Sequence, residues 1–159
     1  MTGDPSVIEL LNDVLTAELT AINQYFVDSK MCANWGFPRM AKHFYEESID
    51  EMKDADDLIE RILYLEGIPN LQRLGTVRVG EDVKEKLELA LQLEREAIDR
   101  LNAGIATCLG VNDNGSRELL EHILEGEEEH ADWLESQLSA IGTVGVENYL
   151  SQMIHGDDS

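Results

Sequence analysis

Proline is scarce in this chain, three residues in 159, and with Leu, Glu and Ala abundant that scarcity suits long uninterrupted helices. No apolar run approaches the roughly 18 residues needed to cross a bilayer, so no membrane helix is expected. The opening residues Met1 to Pro5 lack a basic region, and Glu9, Asn12 and Asp13 interrupt the stretch from Val7 to Leu15. That is not the form of a signal peptide, and a cytoplasmic location is the expectation. Basic residues are outnumbered 12 to 33 by acidic ones, for a formal charge of −21. Such a field opposes nucleic acid and anionic lipid and draws in cations, although a solvated acidic surface alone would give the same balance. The two cysteines, Cys32 and Cys108, have no CxxC spacing and are expected to be free thiols.

What is present is helical periodicity. With 43% apolar residues the chain has the size and content of one domain. Ile8, Leu11, Leu15, Leu19, Ile22 and Phe26 recur at three- and four-residue spacing, and the pattern predicts helices over about 4–35, 38–66, 82–110, 116–142 and 146–154, with a polar tail after them. Gly67 with Pro69 is expected to close the second helix, and Ser116 to cap the fourth. Between the second and third helices, residues 67–81 lack periodicity but carry Leu71, Leu74, Val77 and Val79, which are expected to pack onto the body. Extended, that segment spans up to roughly 50 Å, whereas a helix of about 27 residues is roughly 40 Å long. It is long enough to return the chain to the other end of a bundle and make the second and third helices parallel. Cys32 and Cys108 would then lie at opposite ends, unbonded.

A spaced set of ligand-type residues sits within those helices. Glu18 precedes Glu51 by 33 residues and Glu94 precedes Glu127 by 33, the two sets being offset by 76. Glu51 and Glu127 are each followed three residues on by a second ligand type, Asp54 and His130. Residues three apart share a helix face, and all four glutamates fall mid-helix, so they meet at one level whichever way each helix runs. Buried together without partners they would cost several kcal/mol each, and metal is the simplest neutraliser. Glutamate and imidazole with open positions suit iron, and bridging carboxylates hold two ions a few ångströms apart.

Leu19-Thr-Ala-Ile-Asn-Gln-Tyr-Phe26, Glu47-Ser-Ile-Asp-Glu-Met52, the stretch Glu60 to Leu71 and Glu128-Glu-His-Ala-Asp-Trp-Leu-Glu135 resemble the signatures of bacterioferritin, the haem-containing bacterial ferritin, and the likeness covers essentially the whole chain. The resemblance implies an all-α, ferritin-like four-helix bundle with a long crossover between its second and third helices and a short fifth C-terminal helix. It further implies a homo-oligomeric 24-mer built from dimers, storing iron, with Fe2+ oxidised by O2 or H2O2 at an intrasubunit di-iron centre and haem b between paired subunits; an electron-donating ferredoxin is a candidate partner, the reductant for iron release being left open. By the same resemblance Glu18, Glu94 and His130 are terminal ligands, Glu51 and Glu127 bridge, and Tyr25 is redox-active. Read alone, Tyr25 is equally a core aromatic whose hydroxyl finds a carboxylate. Trp133 is open in the same way, between packing and electron donation.

Met52 has two readings as well. At about 100° per residue it lies with Ile49 and Tyr45 away from the Glu51 face, and Leu19, Ile22 and Phe26 form a comparable stripe on the first helix. A lone subunit would expose that surface, and a symmetric dimer would cover it. Composition alone favours plain dimer packing; the resemblance makes Met52 the haem ligand.

Asp54 departs from the family, which has histidine there. Five carboxylates set −5 against +4 for two Fe2+, which favours Fe3+ or leaves one carboxyl protonated. Either Asp54 ligates and the protein is a working ferroxidase, or the centre is impaired and this is a haem-bearing structural or electron-relay subunit co-assembled with an active second type. Glu46 and Asp50, four residues apart, read as a solvated acidic face or as an inner-surface iron collector. His43, His122 and His155 have no partners recognisable in the sequence.

Overall fold

In the computed structural model, which describes residues 1–155, Asp4 starts the first helix, α1 (Pro5–Asn34): its carboxylate accepts the Ser6 amide at 2.8 Å while Pro5 occupies the first turn. α2 (Pro38–Tyr64), α3 (Val83–Gly110), α4 (Asn114–Val144) and α5 (Val146–Met153) follow. Of the predicted polar tail, only His155 lies within the described residues.

α1, α2 and α3 end alike. Gly36, Glu66 and Asn112 take left-handed backbone conformations with φ of 88°, 63° and 58°. Each turn lets the following amide reach back to a carbonyl of the last turn: Phe37 to Cys32, Gly67 to Ile62 and Asp113 to Cys108, all at 2.9 Å. The expected role of Gly67 is thereby corrected. Glu66 is the left-handed residue; position 67 must be glycine because a Cβ there would stand 2.7 Å from Ile8 Cγ2. The cap of α4 also differs from expectation. Asp113 accepts the Ser116 amide at 3.0 Å and its hydroxyl at 2.8 Å, so Ser116 lies inside the first turn and the helix starts two residues earlier. Arg61 of α2 pairs with the same Asp113 at 2.8 Å.

Two apolar clusters fix the topology. One joins Cys32 of α1, Met40 and Phe44 of α2, Val83 and Leu87 of α3, and Leu134 and Ile141 of α4. The other joins Val7 and Leu11 of α1, Ile62 of α2, Cys108 of α3 and Leu120 of α4. The end of α1 therefore meets the starts of α2 and α3 and the end of α4, so α2 and α3 run parallel. This is the expected four-helix bundle with a crossover. Each fully buried Leu or Ile contributes about 1.5–3 kcal/mol, and the two clusters sandwich the mid-helix level where the glutamates fall. Cys32 and Cys108 are free and buried, one in each cluster. Tyr149 of α5 joins the first cluster and donates to Gln137 at 2.6 Å.

The crossover runs along α1 on polar bonds. The Asn70 amide donates to Asn12 Oδ1 at 2.8 Å, the Gly75 amide to Thr20 Oγ1 at 2.8 Å and the Arg78 amide to Gln24 Oε1 at 3.2 Å, stepping up one face of the helix. The expectation that its apolar residues pack onto the body is corrected. Leu71, Leu74 and Val79 are exposed and only Val77 is half-buried, because side-chain oxygens of α1 satisfy the segment's amides and turn those residues outward.

At the end where α1 meets α3, Lys86 and Asp28 form an ion pair of 2.9 Å with both side chains essentially inaccessible. Lys86 also stands 3.2 Å from the Met31 sulfur and 5.2 Å from the Trp35 ring centroid.

Candidate metal centre

The residues spaced through the sequence meet between the two clusters. Glu18, Glu51, Glu94, Glu127 and His130 are all at most 5% exposed. Glu18, Glu51, Asp54 and Glu127 each bring a carboxylate oxygen within 4.8 Å of the others, so Asp54 does reach the group it was expected to join. On the other side, His130 Nδ1 lies 3.0 Å from Glu94 Oε1, and the Tyr25 hydroxyl donates to that same oxygen. Tyr25 is wholly buried, edge-on to His130 at 5.4 Å between centroids, and burial with the neighbouring Glu94 charge holds its phenol well above the usual range.

One oxygen each of Glu18, Glu51 and Glu94 is buried without a hydrogen-bond partner among the described residues. An unpaired buried carboxylate costs several kcal/mol, so three in one layer are a structural demand for positive charge. The four-carboxylate group and the Glu94–His130 pair, linked through Glu127, which hydrogen-bonds with both Glu51 and Glu94, are donor sets that could hold divalent cations.

The electrostatics agree. Burial, then repulsion from Glu94 and Asp54, raises Glu51 well above its ordinary value; burial, then Glu51 and Glu94, does the same to Glu127. Burial also pushes on Glu94, but hydrogen bonds from Glu127, His130 and Tyr25 outweigh it and hold that carboxylate below its ordinary value. Burial raises Asp54 to about 7, against the pull of the His122 imidazole.

The centre opens through a cleft of about 660 Å3 between α2 and α4, lined among others by His43, Glu47, Glu51, Asp54, His122 and Glu127. Of the histidines without recognisable partners, His43 is the one the structure corrects. His43 faces His130, Nε2 to Nε2, at 3.1 Å and stacks on Trp133 with centroids 3.5 Å apart. His122 is exposed at the cleft wall beside Asp54, whose charge it attracts. His155 is exposed. Glu47, which sequence reasoning left unassigned, lies 3.3 Å from His130 Nδ1. Its signal was legible: 43, 47 and 51 follow one another at four-residue spacing on α2, in line with the Glu51 face. Glu46 and Asp50 are exposed and lie 3.8 Å from Lys42 and Lys53 respectively, in keeping with a solvated face.

On the opposite side of α2, Met52 is 51% exposed, with Tyr45 and Phe26 exposed to a similar degree. Leu19, Ile22 and Ile49 are half-buried, and the Ser48 hydroxyl donates to the Ile22 carbonyl at 2.9 Å. The apolar stripe expected along the α1–α2 seam is present, with a thioether at its surface.

A family profile described as a ferritin-like domain matches residues 8–144. The chain is 49% identical to a bacterioferritin of Mycobacterium leprae (strain TN), over 97% of both chains. It is 48% identical, at the same coverage, to bacterioferritin BfrA of Mycobacterium tuberculosis (strain ATCC 25618 / H37Rv). Against a bacterioferritin of Streptomyces coelicolor (strain ATCC BAA-471 / A3(2) / M145) the identity is 49% over 97% of this chain and 92% of that protein.

Proposed function

This chain belongs to the bacterioferritin family of ferritin-like proteins, and from that premise we propose that it oxidises Fe2+ at the buried carboxylate centre and stores the ferric product inside a 24-mer shell built from dimers. The observation that carries this is the meeting of Glu18, Glu51, Asp54, Glu94, Glu127 and His130 at one level, with three buried oxygens unpartnered. Glu51 and Glu127 would be shared between the two ions, Glu127 being hydrogen-bonded to both Glu51 and Glu94. Glu18 and Asp54 serve one iron, Glu94 and His130 the other. Two Fe2+ held there would supply two electrons, which with two protons take O2 to H2O2 or H2O2 to two waters, and the fifth carboxylate would favour the ferric state. The acidic cleft supplies the substrate ion, and we place the protein in the cytoplasm.

Aerobic addition of about two Fe2+ per subunit to the apo-protein gives a fast oxidation phase above the buffer background. Its absence, together with rescue by Asp54→His, would show an impaired centre instead. On the proposed reading Asp54→His changes the fast phase by less than about tenfold, because one iron ligand replaces another.

The seam fits haem b: an exposed thioether amid apolar side chains, on a face that a twofold partner would double. Met52 would ligate the haem iron from each of two subunits, and the group would supply one-electron transfer there. Met52→Ala should leave the shell intact and remove the haem absorption band from the purified protein; a shell that keeps the band refutes the assignment.

A further inference from the structure

His43, Glu47 and His130 place one ligand atom each within 4.8 Å of one another, outside the set assigned to the two irons except for the shared histidine. We propose that these three residues form a third metal site, mononuclear and of the two-histidine, one-carboxylate type that takes Fe2+, on the cleft side of the two-metal centre. The inference rests on the two-iron reading only in sharing His130.

The geometry is that of adjacent ligands on one ion. A first-row divalent cation about 2.1 Å from each of two nitrogens that are 3.1 Å apart subtends an angle of about 95°. Ligands on one face of an octahedron stand at about 90°, and two imidazoles with a carboxylate on such a face, open positions opposite, are the donor set of non-haem Fe2+. The division of the His130 ring makes room for both sites. Nδ1 faces Glu94 at 3.0 Å, towards the buried centre, while Nε2 faces His43. Glu47 reaches the Nδ1 side at 3.3 Å, and with an ion at each nitrogen the ring is a bridging imidazolate, its single N–H proton released to solvent as metal binds.

The supporting residues hold the arrangement before metal arrives. His43 is clamped against Trp133 with ring planes 15° apart and lies edge-on to Phe44 at 5.7 Å. His43 and Glu47 are one turn apart on α2, and Trp133 lies one turn beyond His130 on α4, so two rigid helices fix all four. The cleft admits an ion to this point, since His43, Glu47 and His130 line it, and Asp50, Asp57 and Glu129 on the same walls give it a negative field. The competing arrangement is a plain N–H···N hydrogen bond between two neutral rings, with Glu47 paired to His130 and no metal.

Co2+ distinguishes the two. The assembled apo-protein is titrated anaerobically in excess Mg2+, which occupies surface carboxylates, and bound cobalt is counted after desalting. The wild type should retain about three Co2+ per subunit and His43→Ala about two, with loss of the absorption of one nitrogen-ligated ion. The double variant Glu51→Gln, Glu127→Gln should lose the buried pair and keep the ion that depends on His43. Equal stoichiometry and spectra in wild type and His43→Ala overturn the third site. A double variant that binds as much as wild type overturns the two-metal centre instead. Wild-type crystals soaked in Co2+ give a check free of any folding effect of the variants: an anomalous peak bridging His43 and His130 is the expected result, and a saturated crystal without it refutes the site.

Discussion

Replacing Glu51 by Gln abolishes fast Fe2+ oxidation, by about 100-fold or more, and at the same time stabilises the metal-free protein. The loss follows from position. Glu51 belongs to the ligand group with Glu18, Asp54 and Glu127 and is the residue best placed, with Glu127, to bridge to the Glu94 side. Gln keeps the shape but lacks the charge and the second anionic oxygen. The stability gain follows from the same burial. Glu51 is 3% exposed, one of its oxygens has no partner among the described residues, and burial with Glu94 and Asp54 nearby raises its carboxyl above the ordinary 4.5. A carboxyl raised in the folded state contributes stability below its unfolded pKa and loses it as pH rises through the folded value, so the advantage of Gln grows above pH 4.5. An amide can donate to the carboxylates that repel Glu51, and a gain of about 1–3 kcal/mol is expected. Calorimetry of apo and Co2+-loaded forms checks both halves: Gln melts higher without metal, and the wild type is raised more by it.

Asp28→Asn should be the most destabilising single substitution away from the metal centre, costing about 3–5 kcal/mol. It leaves Lys86 fully buried with its anionic partner gone and only the Met31 sulfur and the Trp35 ring face for company. Thermal unfolding of both proteins at pH 7 measures the cost, and a variant within about 1 kcal/mol of wild type would show that the pair is dispensable.

The centre was legible in the sequence because repetition marks it. A 33-residue spacing repeated at an offset of 76 singles out Glu18, Glu51, Glu94 and Glu127 from 33 acidic residues, and helical geometry then brings in Asp54 and His130. Helix count, crossover and the opposed cysteines followed from periodicity and chain length. Other features were hidden for physical reasons. Glu66 and Asn112 adopt conformations that most side chains avoid, held by backbone bonds that composition does not encode. Leu71, Leu74 and Val79 read as core, yet in a single chain they face outward, since amide bonding to α1 decides their direction. Lys86 is charged and surrounded in sequence by glutamates, although its place between Val83, Leu87 and Ala90 put it on the buried face. His43 and Glu47 share the Glu51 face, but four-residue spacing on an acidic helix describes a solvated surface as well as a ligand set.

Asp54 stands where the family resemblance expects histidine, and the proposed reaction depends on its holding iron. Crystals of the apo-protein soaked anaerobically in Fe2+ and measured at the iron absorption edge test it most directly. Two anomalous peaks a few ångströms apart are predicted, bridged by Glu51 and Glu127, with an Asp54 oxygen at bonding distance, about 2.0–2.3 Å, from the iron that Glu18 also holds. A single peak on the Glu94 and His130 side, with Asp54 turned into the cleft, would contradict the account.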